Sequence, residues 1–149
     1  MAHVFDTSID IDAPPQRVWE VLVDLPAWKE WNPFIPSISG KLEVGSRLEL
    51  TVIPPGRKPV EFKGRRASKV FTLRPPEEVV FGGSFLWMVF RGDHAIFLEP
   101  LPGGRTHFRQ VERQRGLLAL FIPGGVIQAT EQGYHQMNEA LKRRVESKP

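Results

Sequence analysis

Polar and apolar residues alternate from His3 to Asp12. Phe5, Thr7, Ile9 and Ile11 share one side and Asp6, Ser8, Asp10 and Asp12 the other, so the chain opens with an amphipathic strand whose acidic side meets water. Asp12-Ala13-Pro14-Pro15 then supplies an acidic capping candidate and prolines suited to a first helical turn. Val18, Trp19, Val21, Leu22 and Leu25 form the apolar stripe of a helix that stops before Pro26. A second short turn, Ala27 to Trp31, leads into the proline-bracketed loop Trp31-Asn32-Pro33-Phe34-Ile35-Pro36.

From Ser37 to Arg115 the signals are strands and turns. Ser39 to Glu43 is one strand, and Arg47 to Ile53 is the next, with Leu48, Leu50 and Val52 inward and Pro54-Pro55-Gly56 closing it. Between Val60 and Leu73 the phase breaks: Phe62, Gly64 and Val70 align with Arg66, while Phe71 and Leu73 fall opposite, which predicts a strand carrying a β-bulge. Glu77 to Ser84 is another strand. A long hairpin follows from Gly92 to Gly116, with a turn expected at Pro102-Gly103. That turn would pair Leu98 with Thr106 and His94 with Gln110, and set Glu112 diagonal to His94 at about 7 Å between backbones.

The last element is a helix from Val126 to Glu146, with Val126, Thr130, Gly133, Tyr134, Met137, Leu141 and Val145 on one face. This order predicts an α+β fold: a curved antiparallel sheet of about seven strands wrapped round a long C-terminal helix, with two short helices after strand 1. Gly133 and the slim Thr130 are expected to leave space between the layers.

The inward side of the hairpin is unusual. Arg109, Arg113 and Arg115 mark the solvent side of its second strand, which turns Thr106, Phe108, Gln110, Glu112 and Gln114 inward; on the first strand His94, Ile96 and Leu98 point in. A solidly packed face would not place His, Gln, Glu and Gln in a row, since each unpartnered buried polar group costs about 1 to 3 kcal/mol. A cavity is the cheaper explanation. His94 and Glu112 are candidates for proton transfer. The bland alternative, which is preferred, has His94, Gln110, Glu112 and Gln114 satisfying one another, holding water or orienting a ligand's polar end.

Further candidate ligand contacts are Ile96 and Phe108 on the hairpin, Tyr134 and Met137 on the final helix, and Trp31 and Phe34 in the aromatic loop. Trp87 and Phe121 complete the set, from two apolar runs, Phe85 to Phe90 and Leu117 to Pro123. Such runs on loops cannot bury every side chain locally. They line a cavity mouth, meet a second subunit to form a homodimer, or make at most a transient membrane contact through which a ligand is drawn.

With 149 residues the chain is expected to form one domain, 1–149. The absence of cysteine excludes disulfides, thiol nucleophiles and thiolate metal sites. His3, His94, His107 and His135 show no close ligand spacing, so neither a metal nor a cofactor is expected. The formal charge of +3 comes with Lys and Arg alternating with Asp and Glu over most of the chain, which reads as a solvated surface and not a nucleic-acid site. Met1 to Asp12 lacks the blocks of a signal peptide, so a cytoplasmic location is expected.

Together, several short patterns carry a resemblance. They are Ile11-Asp12-Ala13-Pro14 with Val18-Trp19 and Leu22, Trp28 with Trp31-Asn32-Pro33, and Gly92-Asp93-His94 with Leu98-Glu99-Pro100-Leu101. Thr106, Phe108, Glu112, Gly116-Leu117-Leu118, Met137-Asn138 and Ala140-Leu141-Lys142 complete the series. In this order the chain resembles the START-like (SRPBCC) superfamily, within it the polyketide cyclase/dehydrase and lipid-transport branch. The resemblance implies a helix-grip fold with a pocket for apolar small molecules, in a group that includes lipid and hormone carriers and aromatase/cyclases. It transfers no catalytic residue. His94 and Glu112 match positions where relatives often carry the same residues, whereas Gln114 departs from the apolar residue expected there and makes one pocket end more polar.

Three functions follow as expectations. The first is non-catalytic binding of a lipid, polyketide or aromatic compound. The second is a cofactor-independent cyclase, dehydratase or hydrolase using His94 and Glu112, and the third is a dimerising or partner-binding module using the 85–90 run.

Overall fold

The computed structural model describes residues 3–85 and 89–147, with only the backbone of Phe85. Strand β1 (His3–Ile11) keeps the expected alternation, with Phe5, Thr7 and Ile11 buried and Val4, Asp6, Ser8 and Asp10 exposed. Helix α1 (Pro15–Val23) buries Val18, Trp19 and Leu22. Its N-cap is Pro14, without a side-chain cap, and not the acidic Asp12. Asp12 is instead held from outside, its backbone N–H donating to the Glu146 carboxylate at 2.8 Å. A 3-10 turn (Leu25–Ala27) and the one-turn helix α2 (Trp28–Trp31) follow.

The strands are β2 (Ser37–Gly40), β3 (Arg47–Val52), β4 (Val60–Phe62), β5 (Ser68–Arg74), β6 (Glu78–Phe85), β7 (Phe90–Leu101) and β8 (Arg105–Arg115). Their order across the antiparallel sheet is β1-β8-β7-β6-β5-β3-β2, and short β4 pairs with β3 beside that path. The expected single bulged strand over 60–73 is two strands. A 3-10 turn at Gly64–Arg66, entered through Gly64 at φ +59°, divides β4 from β5, and the two share one edge of β3. The bulge does exist: pairing shifts between Val70 and Thr72, and Phe71 lies under the Arg91 guanidinium, 5.4 Å from its ring centre.

The long hairpin is present with its register displaced by two residues. Its connection holds three residues, Pro102-Gly103-Gly104, with both glycines at positive φ (+83° and +71°), so Leu101 pairs with Arg105. His94 therefore faces Glu112 directly and not diagonally, Ile96 faces Gln110, and Leu98 faces Phe108. A shift of two preserves which side chains face inward, because the pleat repeats every two residues.

Helix α3 (Gly124–Glu146) closes the concave side. Its C-terminal half is solidly packed: Met137, Leu141 and Val145 are buried together with Ile11, Val18, Leu98 and Phe108. The N-terminal half packs differently. Gly133 does not leave space, because a Cβ there would overlap the Phe34 ring. Phe34 fills that notch, and its loop is held by Asn32, whose Oδ1 accepts the backbone N–H groups of Phe34 (3.0 Å) and Ile35 (2.9 Å). Beyond Phe34 towards the start of α3, the layers part.

Candidate functional site

A cavity of about 360 Å³ lies between the first half of α3 and the strands β3 to β8. Its walls are mostly apolar, with Phe34, Ile35, Leu50, Val52, Phe62 and Phe81 facing Val126, Ile127 and Thr130 of the helix. Small residues make the hollow. Ser68, Gly82, Gly83, Ser84 and Gly92 lie along its sheet side and carry little or no side chain to occupy it; at Gly82 a Cβ would also meet the Gly92 carbonyl of the neighbouring strand. At Gly92 a Cβ would stand 3.6 Å from the Glu112 carboxyl, in ordinary contact with it, which places this glycine beside the polar end of the cavity.

One end is polar. Glu112 and Gln114 project from β8, His94 from β7 and Tyr134 from α3, and all four line the cavity. The Gln114 amide donates to Glu112 Oε2 at 3.4 Å, and the Tyr134 hydroxyl engages the same carboxyl. The Tyr134 ring meets Phe34 edge-on at 4.8 Å and His94 edge-on at 5.3 Å, fixing its direction.

Behind His94 runs a buried relay. His94 Nε2 donates to Gln110 Oε1 at 2.8 Å, the Gln110 amide donates to Asn138 Oδ1 at 2.6 Å, and the Asn138 amide donates to Thr7 Oγ1 at 3.0 Å. With Nε2 carrying the proton, Nδ1 keeps its lone pair. The relay ties β7, β8, α3 and β1 together.

Burial sets the charge state. Desolvation lowers His94 to about 4 against the opposing pull of its hydrogen bond to Gln110, so the ring is neutral at pH 7. Desolvation raises Glu112 to about 8, with the nearby Asp93 charge adding to the rise while hydrogen bonds from Gln114 and Tyr134 oppose it. Tyr134 is raised by desolvation and then by Glu112. No imidazolium therefore stands beside Glu112 at neutral pH. The polar end presents a carboxylic acid proton and an imidazole instead of an ion pair.

Of the residues singled out from sequence, the cavity brings together His94, Glu112, Gln114, Phe34 and Tyr134. Gln110 lies behind His94, 1% exposed, and reaches the cavity only through it. Ile96, Phe108 and Met137 point inward as alternation requires, but inward at their level is solid core and not cavity wall. Trp31 packs against Trp28, ring centres 5.5 Å apart, outside the cavity lining. Phe121 is 73% exposed and also outside it. Trp87 lies outside the described residues. Sequence reasoning passed over the glycines and Ser68, whose contribution is missing volume, and Ile127, which stands off the chosen helix stripe. The four-residue steps Val126, Thr130 and Tyr134 did carry the signal for the helical wall.

A family model described as polyketide cyclase / dehydrase and lipid transport matches residues 2–146, and the chain belongs to this family. The fold is correspondingly the helix grip. A START superfamily protein from Mycobacterium smegmatis superposes with a TM-score of 0.73 at 18% identity, covering 97% of this chain and 98% of that one. The Zhui aromatase/cyclase from a Streptomyces species gives 0.74 at 16% identity, covering 98% and 94%. A norcoclaurine synthase from Thalictrum flavum, in complex with dopamine and hydroxybenzaldehyde, gives 0.68 at 15% identity, covering 100% and 89%. At such identities the likeness shows the fold. A search of curated sequences finds no match.

Proposed function

We propose that this chain binds a small, mostly apolar molecule inside the cavity, with Glu112, Gln114, His94 and Tyr134 holding its polar end. The observation that supports this reading most is the hollow itself: apolar walls closing on one cluster of polar groups. An apolar cavity of about 150 Å³ accepts benzene, so about 360 Å³ suits a molecule of roughly two rings or an equivalent chain. Affinity comes from burying that body at about 25 cal/mol per Å². Selectivity comes from the polar end, where a protonated Glu112 donates to a carbonyl or hydroxyl oxygen and disfavours a carboxylate, which would bring a second acid into a dry site.

Native mass spectrometry of freshly purified protein tests this. A co-purifying mass that is absent after Thr130→Phe supports it, and an empty wild-type protein that takes up no two-ring ketone or phenol refutes it.

A second reading is an enzyme of the cyclase, dehydratase or hydrolase kind. It is favoured by one specific feature, a neutral carboxylic acid directly across the strand pair from a neutral imidazole, which could donate and accept a proton on one substrate. Turnover that survives Glu112→Gln unchanged would exclude that role. The partner-binding reading rested on the 85–90 run, whose central residues lie outside the described ones.

A further inference from the structure

Among the described residues, four of the eight large apolar side chains that stay exposed fall within five consecutive positions. Leu117 (63% exposed), Leu118 (36%), Leu120 (51%) and Phe121 (73%) belong to one 3-10 turn, Leu117–Phe121. That turn borders the cavity: Leu118 lines it, as do Ile122 and Val126 just beyond. A cluster of exposed leucines and a phenylalanine leaves apolar surface in water that packing among the described residues does not relieve.

Charge gathers at the same rim. Residues 57–66 hold five of the chain's 20 Lys and Arg and one of its 17 Asp and Glu, a formal +4 that exceeds the +3 of the whole chain and leaves the other residues at −1. Within this segment Val60, Phe62 and Arg66 line the cavity together with Leu118 and Ile122. The Arg57 guanidinium lies against Gly125 at the start of α3. Arg57, Lys58, Lys63, Arg65 and Arg66 are all exposed, and Glu61 pairs with Lys63 at 3.8 Å.

We infer that the cavity rim formed by Leu117–Phe121 and residues 57–66 docks on an anionic lipid surface. The apolar turn enters the headgroup region while the flanking cations meet anionic headgroups, as in other interfacial segments that combine apolar insertion with basic residues. Charge complementarity selects this occupant over a second copy, because two such rims face to face would bring like charges together. The membrane contact is peripheral, since among the described residues no helix is long and apolar enough to cross a bilayer.

Co-sedimentation of the full chain with vesicles decides the question. Mixed phosphatidylserine and phosphatidylcholine vesicles should bind it at least about tenfold better than phosphatidylcholine alone, and added salt should erase the difference. Arg57→Glu with Lys58→Glu should remove the preference for phosphatidylserine. Leu117→Ser with Leu120→Ser should lower binding to mixed vesicles about tenfold while the mass that co-purifies in the cavity stays. Equal binding to both vesicle types, or none, overturns the inference. So does a dimer in solution that the leucine variant abolishes while vesicles are ignored. An empty cavity with intact vesicle binding would refute the ligand reading and leave this one standing.

Discussion

Glu112 makes the protein's stability fall with pH in a narrow window. In the unfolded chain it ionises near its ordinary 4.5, whereas in the folded protein it holds its proton to about 8, so its contribution is complete below 4.5 and is lost as pH rises through 8. His94 acts oppositely. Its folded value of about 4 against an ordinary 6.5 makes its contribution complete above 6.5 and lost as pH falls through 4. Between 4.5 and 6.5 folded and unfolded chains differ by one proton at each site with opposite sign, and the two slopes cancel. From about pH 6.5 to 8 only Glu112 remains. At about 1.36 kcal/mol per pH unit the fold loses at most about 2 kcal/mol, less to the extent that cavity water screens the carboxylate.

Urea unfolding followed by tryptophan fluorescence should show the midpoint dropping by about 1 M over that interval. In Glu112→Gln the fall should vanish, leaving a rise from pH 4 to 6.5 and a plateau above it. A wild-type midpoint that is constant from pH 6.5 to 8, or a glutamine variant that follows the wild type, would show that Glu112 is ordinary and that the polar end is wet.

Gln110→Leu strands the His94 N–H and the Asn138 carbonyl, and should cost about 2 to 4 kcal/mol in urea unfolding; imidazole nitrogen NMR should then show His94 losing its single tautomer. Gly133→Ala collides with the Phe34 ring and should destabilise by about 1 to 3 kcal/mol, read as a lower melting temperature. Thr130→Phe loses only the bond to the Val126 carbonyl of its own helix (2.8 Å), so it should fill the cavity, empty it of any co-purifying mass and leave the melting temperature unchanged or higher. A retained mass would place the ligand elsewhere.

Periodicity alone carried β1, α1, the hairpin and α3, because each has one wet and one dry side over many residues and the pattern has no other use. It also put His94, Glu112 and Gln114 on the inner face, a conclusion insensitive to the two-residue slip in register. What alternation could not separate was inward into core from inward into cavity. Ile96 and Phe108 share a face with His94 and Glu112, yet one level of that face is packed against Met137 and Leu141, while at the other Thr130, Ile127 and Tyr134 of the helix stand across a cavity. That difference depends on where α3 crosses the sheet and on Phe34 arriving from a distant loop to occupy the Gly133 notch. The charge state was likewise tertiary, since desolvation by the surrounding walls, invisible to local pattern, keeps His94 and Glu112 uncharged.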